Sequence, residues 1–315
     1  MPKPVITQLL NVLRIPAEVG GRSLRIAGFS GCEELTLELL KVPELSRAEV
    51  VHDISEADVV IGWIKCLRSG MLLSELKLVR GHSIVIISDA AGYIHVNPSL
   101  IRDIVGADYV KSWFPIGEGA AVFIKRGFDR GFKRRSISVY RDSFIYGPNP
   151  VHYNTAYALY VLTKYTLARV NGNVIEVGTG RGFSTLWLAH AAKELKARVT
   201  SIDVNCERVE FASNVMKELG LSEYVEVVCG DAREYGRSIK GIALAFIDGW
   251  KEEYHEYLEA IEHNLLPGSV LIAHNTLSSA PEVAHYLKKV FSREYVSVTV
   301  ATDPAGVTVS ARTKD

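Results

Sequence analysis

Glutamine is nearly missing from this chain of 315 residues, with Gln8 its single instance, while charged side chains make up 23%. Few amides among many charges hint at a heat-adapted source. Net charge is missing as well, since 36 Lys and Arg balance 36 Asp and Glu. The whole molecule therefore carries no field for nucleic acid or an anionic membrane, and only a local patch would supply one. No stretch of 18 apolar residues exists, because "SIVIISDAAGYIHV" is broken by Ser88 and Asp89; a membrane-spanning helix is excluded and a soluble, cytoplasmic protein is expected. The opening "MPKPVITQLLNVLRIP" reads as a short amphipathic helix without a small-residue cleavage site. Cys32, Cys66, Cys206 and Cys229 form no C-x-x-C pair. That argues against a zinc knuckle or a disulfide framework and predicts small buried apolar residues.

What is present falls into two halves, as expected for a chain of this length. After an N-terminal helix over 1–20, residues 21–128 alternate β-like runs ("SLRIAGF", "ADVVIGWI", "SIVIIS", "AAVFIKR") with helix-like ones near 33–41, 71–80 and 98–106. The alternation predicts a small α/β domain of unknown role. A basic stretch, "KRGFDRGFKRRSISVYR", shows little helical periodicity and reads as a linker over 129–145. A second reading makes it an RNA platform, with Lys125, Arg126, Lys133, Arg134 and Arg135 on phosphates and Phe128 or Phe132 stacked on bases. From 146 to 315 the pattern becomes regular: a helix in "HYNTAYALYVLTKYTLARV", then "NVIEV", "RVTSID", "VEVVCGD", "ALAFID" and "SVLIAHN" as parallel strands separated by helices. A helix near 280–292 and a hairpin, "YVSVTVAT" and "GVTVSAR" about the turn "DPAG", close the chain. The expected fold is a doubly wound, mostly parallel, seven-stranded α/β sheet.

Ligands of such sheets bind at the carboxyl ends of the strands. In "VIEVGTGRGFST", Gly178, Gly180 and Gly182 let the backbone turn tightly and lead into a helix from Phe183, whose N-terminus favours negative charge. The spacing is G-x-G-x-G, not the dinucleotide G-x-G-x-x-G. Glu176 ahead of it suits a cationic ligand or a water-mediated contact better than a pyrophosphate. Asp203 ends the next strand, where a carboxylate can accept both hydroxyls of a ribose, or else cap a helix. Asp231 ends the third, placed for an adenine amine or again for a cap. The three together describe a nucleoside with a positive charge in place of phosphates, and S-adenosyl-L-methionine (SAM) is such a molecule.

The fourth strand end, "FIDGWKEEY", carries a resemblance. With "VIEVGTGRGFS", "SIDVN" and "LLPGSVLIAHNT", it makes residues from about 146 to 315 similar to the class I SAM-dependent methyltransferases, and among them to the metal-dependent catechol O-methyltransferase family. The resemblance implies that Asp248 is a metal ligand, Lys251 the general base for a substrate hydroxyl, Asn275 a second metal ligand and Asp203 the ribose partner. Methyl transfer is an in-line displacement from a sulfonium. Holding the acceptor in line is worth roughly 7 to 11 kcal/mol, and a divalent cation would both fix the acceptor and lower its hydroxyl pKa. Trp250 would form an apolar wall for an aromatic ring.

Where the family has an acidic residue before the asparagine, this chain has His274. An imidazole ligand shifts preference from Mg²⁺ toward Mn²⁺ and other first-row ions; alternatively the metal is lost and His274 is itself the base. The long N-terminal half, absent from catechol-type enzymes, makes catechol a poor candidate for the acceptor and would cover the acceptor site, form a homodimer interface or bring a larger substrate. The leading expectation is a SAM-dependent O-methyltransferase of a small hydroxylated acceptor. An RNA methyltransferase is the alternative, although "IDGW" lacks the N-P-P-Y type of signature for base amines. A catalytically inactive SAM-binding protein is the third.

Overall fold

The computed structural model describes residues 23–39, 48–63, 66–67, 72–81, 83–88, 109–114 and 120–313. The expected helices at the N-terminus and at 98–106 lie outside them. The chain divides into two compact units, Met1–Arg126 and Gly127–Asp315.

Among its described residues the first unit forms a six-stranded sheet of order β2-β1-β3-β4-β6-β5, built from β1 (Arg25–Gly28), β2 (Glu49–Val50), β3 (Val59–Trp63), β4 (Ile84–Ser88), β5 (Tyr109–Phe114) and β6 (Ala120–Lys125). Strands β1 to β4 run parallel, and β6 is antiparallel to both β4 and β5. Val59, Val60, Ile61 and Ile84 to Ile87 are buried throughout, which is why the sequence shows unbroken apolar runs rather than alternation. The helices α1 (Glu33–Leu39) and α2 (Leu72–Leu78) stand where the sequence placed them.

The second unit holds α3 (Arg130–Tyr146), α4 (Tyr153–Leu167), β7 (Asn173–Val177), α5 (Phe183–Leu195), β8 (Val199–Asp203), α6 (Cys206–Glu218), β9 (Val225–Cys229), α7 (Ala232–Tyr235), β10 (Ile242–Ile247), α8 (Tyr254–Glu262), β11 (Leu265–His274), α9 (Ala284–Val290), β12 (Tyr295–Val300) and β13 (Val307–Arg312). Its seven strands have the order β12-β13-β11-β10-β7-β8-β9. Strands β7 to β11 are parallel, and β13 runs antiparallel between β11 and β12. The chain winds outward from β7 through β8 and β9, then crosses back to β10, so the switch point lies between β7 and β10, the place where such sheets bind ligands.

Two expectations are corrected here. The basic stretch is not a linker but most of α3, which starts when the Asp129 carboxylate caps Phe132 N at 2.9 Å. Phe132, Ser136, Val139 and Ser143 form its buried stripe. The two serines, which bond to the carbonyls of Lys133 and Val139, disguised an apolar periodicity that the basic residues already obscured. Phe132 packs edge-on to Trp187 with centroids 5.1 Å apart, and Phe128 lies 4.9 Å from Phe132 and 5.5 Å from Trp187. Phe132 is thus buried in an aromatic cluster with Phe128 half-buried against it, while Arg135 is paired with Glu218 at 2.6 Å.

The cysteines are likewise not isolated. Cys32 is bonded to Cys66 and Cys206 to Cys229, with Cα separations of 5.3 and 5.1 Å. The sequence separations of 34 and 23 residues hide what pairing in the sheet creates: Asp203 lies opposite Cys229, and Cys206 follows three residues later.

Candidate functional site

A cavity of about 980 Å³ opens where β7 to β11 end. Gly178, Asp203, Asp231, Asp248 and His274 line it, one from each strand end. The glycine loop runs along one side with Gly178, Gly180 and Gly182 at φ values of 96°, 52° and 83°, a region that costs other residues about 1–2 kcal/mol. At Gly178 a side chain is also excluded by space: its Cβ would overlap the carbonyl oxygen of Asp248 and stand 2.7 Å from the carbonyl carbon. Gly182 occupies the N-cap of α5 in left-handed conformation, which aims the helix N-terminus at the loop.

The residues expected to hold the nucleoside divide. Asp203 faces the cavity, and its two carboxylate oxygens accept from Gly180 N at 2.8 Å and Asn205 N at 2.9 Å. It shapes the loop while keeping further lone pairs for a ligand. Asp231 lines the wall as well, but its carboxylate caps α7 through Arg233 N at 2.8 Å and grips the Arg233 guanidinium at 2.6 to 3.0 Å. The cap is made, and the carboxylate still lines the cavity.

Glu176 does not face the cavity. It is fully buried beneath the loop, and its Oε2 accepts from Thr185 Oγ1 at 2.5 Å and Ser201 Oγ at 2.6 Å. Oε1 has no partner. Burial pushes its carboxyl up to about 7, against the pull of the hydroxyls of Ser184, Ser201 and Thr185. Its neutral form is therefore stabilised, and its part in any ligand contact is to set the loop from below.

On the other side of the switch point, Asp248 Oδ1 lies 2.9 Å from Lys251 Nζ and 3.3 Å from His274 Nδ1. Lys251 also donates to the Gly249 carbonyl at 3.0 Å. The far ring nitrogen of His274, Nε2, is 3.0 and 3.2 Å from the two carboxylate oxygens of Asp303. Asp303 sits in the turn between β12 and β13. The sequence showed it only as the first residue of "DPAG", with a ready explanation in turn chemistry. Burial works against the imidazolium of His274, but Asp248 and Asp303 outweigh it and push its pKa up to about 9. Burial would raise both carboxylates, yet the same ring holds Asp248 and Asp303 below the usual range. Trp250, 68% exposed, lines the cavity together with the rings of Tyr140 and Phe144. Asn275 reaches the cavity from a left-handed backbone, φ 58°, with its amide nitrogen 3.3 Å from Ser278 Oγ.

The donor set of Asp248, His274 and Asn275 does not fit a divalent cation in this arrangement. A metal ligand must offer a lone pair, whereas each ring nitrogen of His274 faces carboxylate oxygens that can only accept, so both nitrogens must donate. The Asp248 oxygen nearest the ring already carries the Lys251 ammonium. Among the described residues no group of three or more His, Cys, Asp or Glu is disposed to hold a metal.

Comparison with known proteins agrees with this geometry. Residues 175–276 match a family model described as a methyltransferase domain. A catechol O-methyltransferase from Mycobacterium tuberculosis is 32% identical over 106 residues, covering 33% of this chain and 48% of that protein. A ribosomal RNA small subunit methyltransferase G from Synechococcus elongatus is 38% identical over 80 residues, 25% of this chain and 32% of that one. The chain thus spans about half or less of the length of these curated relatives. Among solved structures, the O-methyltransferase TomG from Streptomyces achromogenes, in complex with SAM, superposes with a TM-score of 0.51 at 20% identity, covering 59% of this chain and 91% of that one. The second unit thus has the α/β fold of that solved methyltransferase, and residues 175–276 within it are similar to a methyltransferase domain. In sequence it is similar to an O-methyltransferase of the catechol type.

Proposed function

We propose that the chain is a SAM-dependent O-methyltransferase acting on a hydroxyl of a small-molecule acceptor. The observation that carries this reading is that the glycine loop and the Asp248, Lys251 and His274 group open on one cavity. The loop, the N-terminus of α5 and Asp203 take the nucleoside. The sulfonium methyl would point across the switch point at an acceptor held against Trp250, Tyr140 and Phe144. Two cationic side chains beside the acceptor, Lys251 and His274, lower its hydroxyl pKa, so that it gives its proton to bulk water and enters as the oxyanion; the C–O bond forms as the methyl leaves the sulfonium, and S-adenosylhomocysteine is released. An in-line approach then needs only positioning.

An RNA acceptor is not favoured, because Phe128 and Phe132 are packed among Trp187, Tyr160 and His190. A cytoplasmic setting belongs to the same proposal. No described helix is long and apolar enough to cross a membrane, and disulfides inside the cell are a habit of heat-adapted organisms, which the scarcity of glutamine also suggests.

The test is calorimetric titration of S-adenosylhomocysteine, followed by transfer of radiolabelled methyl from SAM to a panel of hydroxylated aromatic compounds and, separately, to total RNA. Nucleoside binding with label in a small acceptor is the expected result. Label in RNA alone refutes the acceptor class, and no nucleoside binding refutes the whole reading.

A further inference from the structure

Asp303 lies outside the stretch 175–276 that matches the methyltransferase family, and yet it is the best-anchored acidic side chain of the site. It is 7% exposed. Its Oδ2 accepts from Thr155 Oγ1 at 2.5 Å, and its Oδ1 from Ala305 N at 2.9 Å and Gly306 N at 3.3 Å. Thr155 in turn meets Thr302 Oγ1 at 2.8 Å, and Asn154 Nδ2 donates to the Thr302 carbonyl at 2.7 Å. The first turn of α4 and the hairpin turn thus clamp the Asp303 carboxylate from two sides. What remains of its accepting capacity is aimed at His274 Nε2, 3.0 and 3.2 Å from the two oxygens. The contact on the other edge of the ring, Nδ1 to Asp248, is longer at 3.3 Å.

A ring held firmly at one nitrogen and loosely at the other presents the loosely held edge to its surroundings. We propose that Asp303 is a positioning residue for methyl transfer: it fixes His274 through Nε2 so that the Nδ1 edge stays turned on Asp248 and the acceptor. The purpose of this device rests on the methyl-transfer reading, but the device itself does not. The hairpin is thereby part of the site and not only an edge of the sheet, and the clamp by Thr155 and the backbone amides explains why a carboxylate is buried in a turn.

The test uses the full chain with ¹⁵N-labelled histidine, saturated with S-adenosylhomocysteine. The wild type is expected to show a solvent-protected Nε2 proton for His274, assigned by its loss in His274→Ala. Asp303→Asn keeps the shape but removes the charged acceptor, so this proton resonance should move upfield. Asp303→Ala should lose it, with the nucleoside affinity within twofold of wild type. Thr155→Val, which loosens the clamp without touching the ring, should keep the resonance and serves as the measure of any general loss of folding. An unprotected proton in the wild type, or a resonance unmoved by Asp303→Asn, overturns the proposal. Should Asp303→Ala fail to fold, Asp303→Asn decides alone. A wild type that does not bind the nucleoside would sink the methyltransferase reading while leaving the ring signal to be read, so the two failures are distinguishable.

Discussion

Replacing Gly178 by alanine tests the site at the point where loop and strand touch. Two costs combine there. The φ of 96° is a region that a side chain enters at about 1–2 kcal/mol. The new Cβ would also overlap the Asp248 carbonyl, 2.7 Å from its carbon and 3.0 Å from Gly249 N. These are backbone atoms, and the Asp248 amide is itself bonded to the Val177 carbonyl at 2.8 Å, so relief would come only by spreading β7 from β10. Overpacking of this kind costs about 1–3 kcal/mol more. Gly220→Ala supplies the control: its φ is 63° with nothing within 4 Å of the added carbon, so only the backbone cost remains. Urea denaturation of both variants should show Gly178→Ala less stable than Gly220→Ala by about 1–3 kcal/mol, with similar slopes. Because the displaced atoms belong to Asp248, S-adenosylhomocysteine affinity should fall in the first variant and not in the second. Equal midpoints and equal affinities would refute the claim that the glycine is there for close approach.

Glu176 should make the fold sensitive to mild alkali. Its folded pKa, about 7, stands above the ordinary 4.5, so the neutral carboxyl is the form the fold prefers. Its contribution is complete below pH 4.5 and is lost as pH rises through 7, about 3 kcal/mol in all. The unfolding free energies of Glu176→Gln and wild type, from denaturation at pH 5 and pH 8, should differ by an amount that changes by about 2–3 kcal/mol between the two pH values; a constant difference would count against a buried neutral carboxyl. The Cys206 to Cys229 bridge spans a sequence separation of 23 residues, and loop-closure entropy assigns about 3 kcal/mol to such a link. Its reduction, or Cys206→Ser, should lower the denaturation midpoint accordingly. Free-thiol titration of the unfolded chain that finds four thiols without reductant would refute the pairing.

How much of this could be read from the sequence follows from the range of each interaction. The strands β7 to β11 and the glycine loop were legible because parallel strands buried on both faces leave unbroken apolar runs and because positive φ selects glycine. The helix α3 was not, since Ser136 and Ser143 occupy its buried stripe and satisfy their hydroxyls within the helix. Strand β5 was missed for a related reason, as "YVKSWF" carries Lys111 and Ser112. For Asp231 the sequence offers a cap or an adenine partner; the cap onto Arg233 N is made while the carboxylate still lines the cavity, so the two are compatible. Asp303 and the disulfides depend on contacts between residues 23 to 148 positions apart, which no local pattern records.

The same logic bears on the metal. The carboxylates of Asp248 and Asp303 are paired with the cations of Lys251 and His274. A divalent ion seeking Nδ1 must first remove a proton that the two carboxylates hold up to about 9. At pH 7 that costs about 3 kcal/mol, or roughly a hundredfold in affinity, before the ammonium of Lys251 is displaced from Asp248. Calorimetric titration of Mn²⁺ and then Mg²⁺ into nucleoside-saturated protein should therefore show no binding at pH 7 that Asp248→Ala abolishes. His274→Asp removes the ring and its proton together and supplies a second carboxylate beside Asn275, so that variant should gain Mn²⁺ affinity. Micromolar Mn²⁺ binding by the wild type at pH 7, lost in Asp248→Ala, would show instead that the ion displaces both cations, and the charge argument would fail.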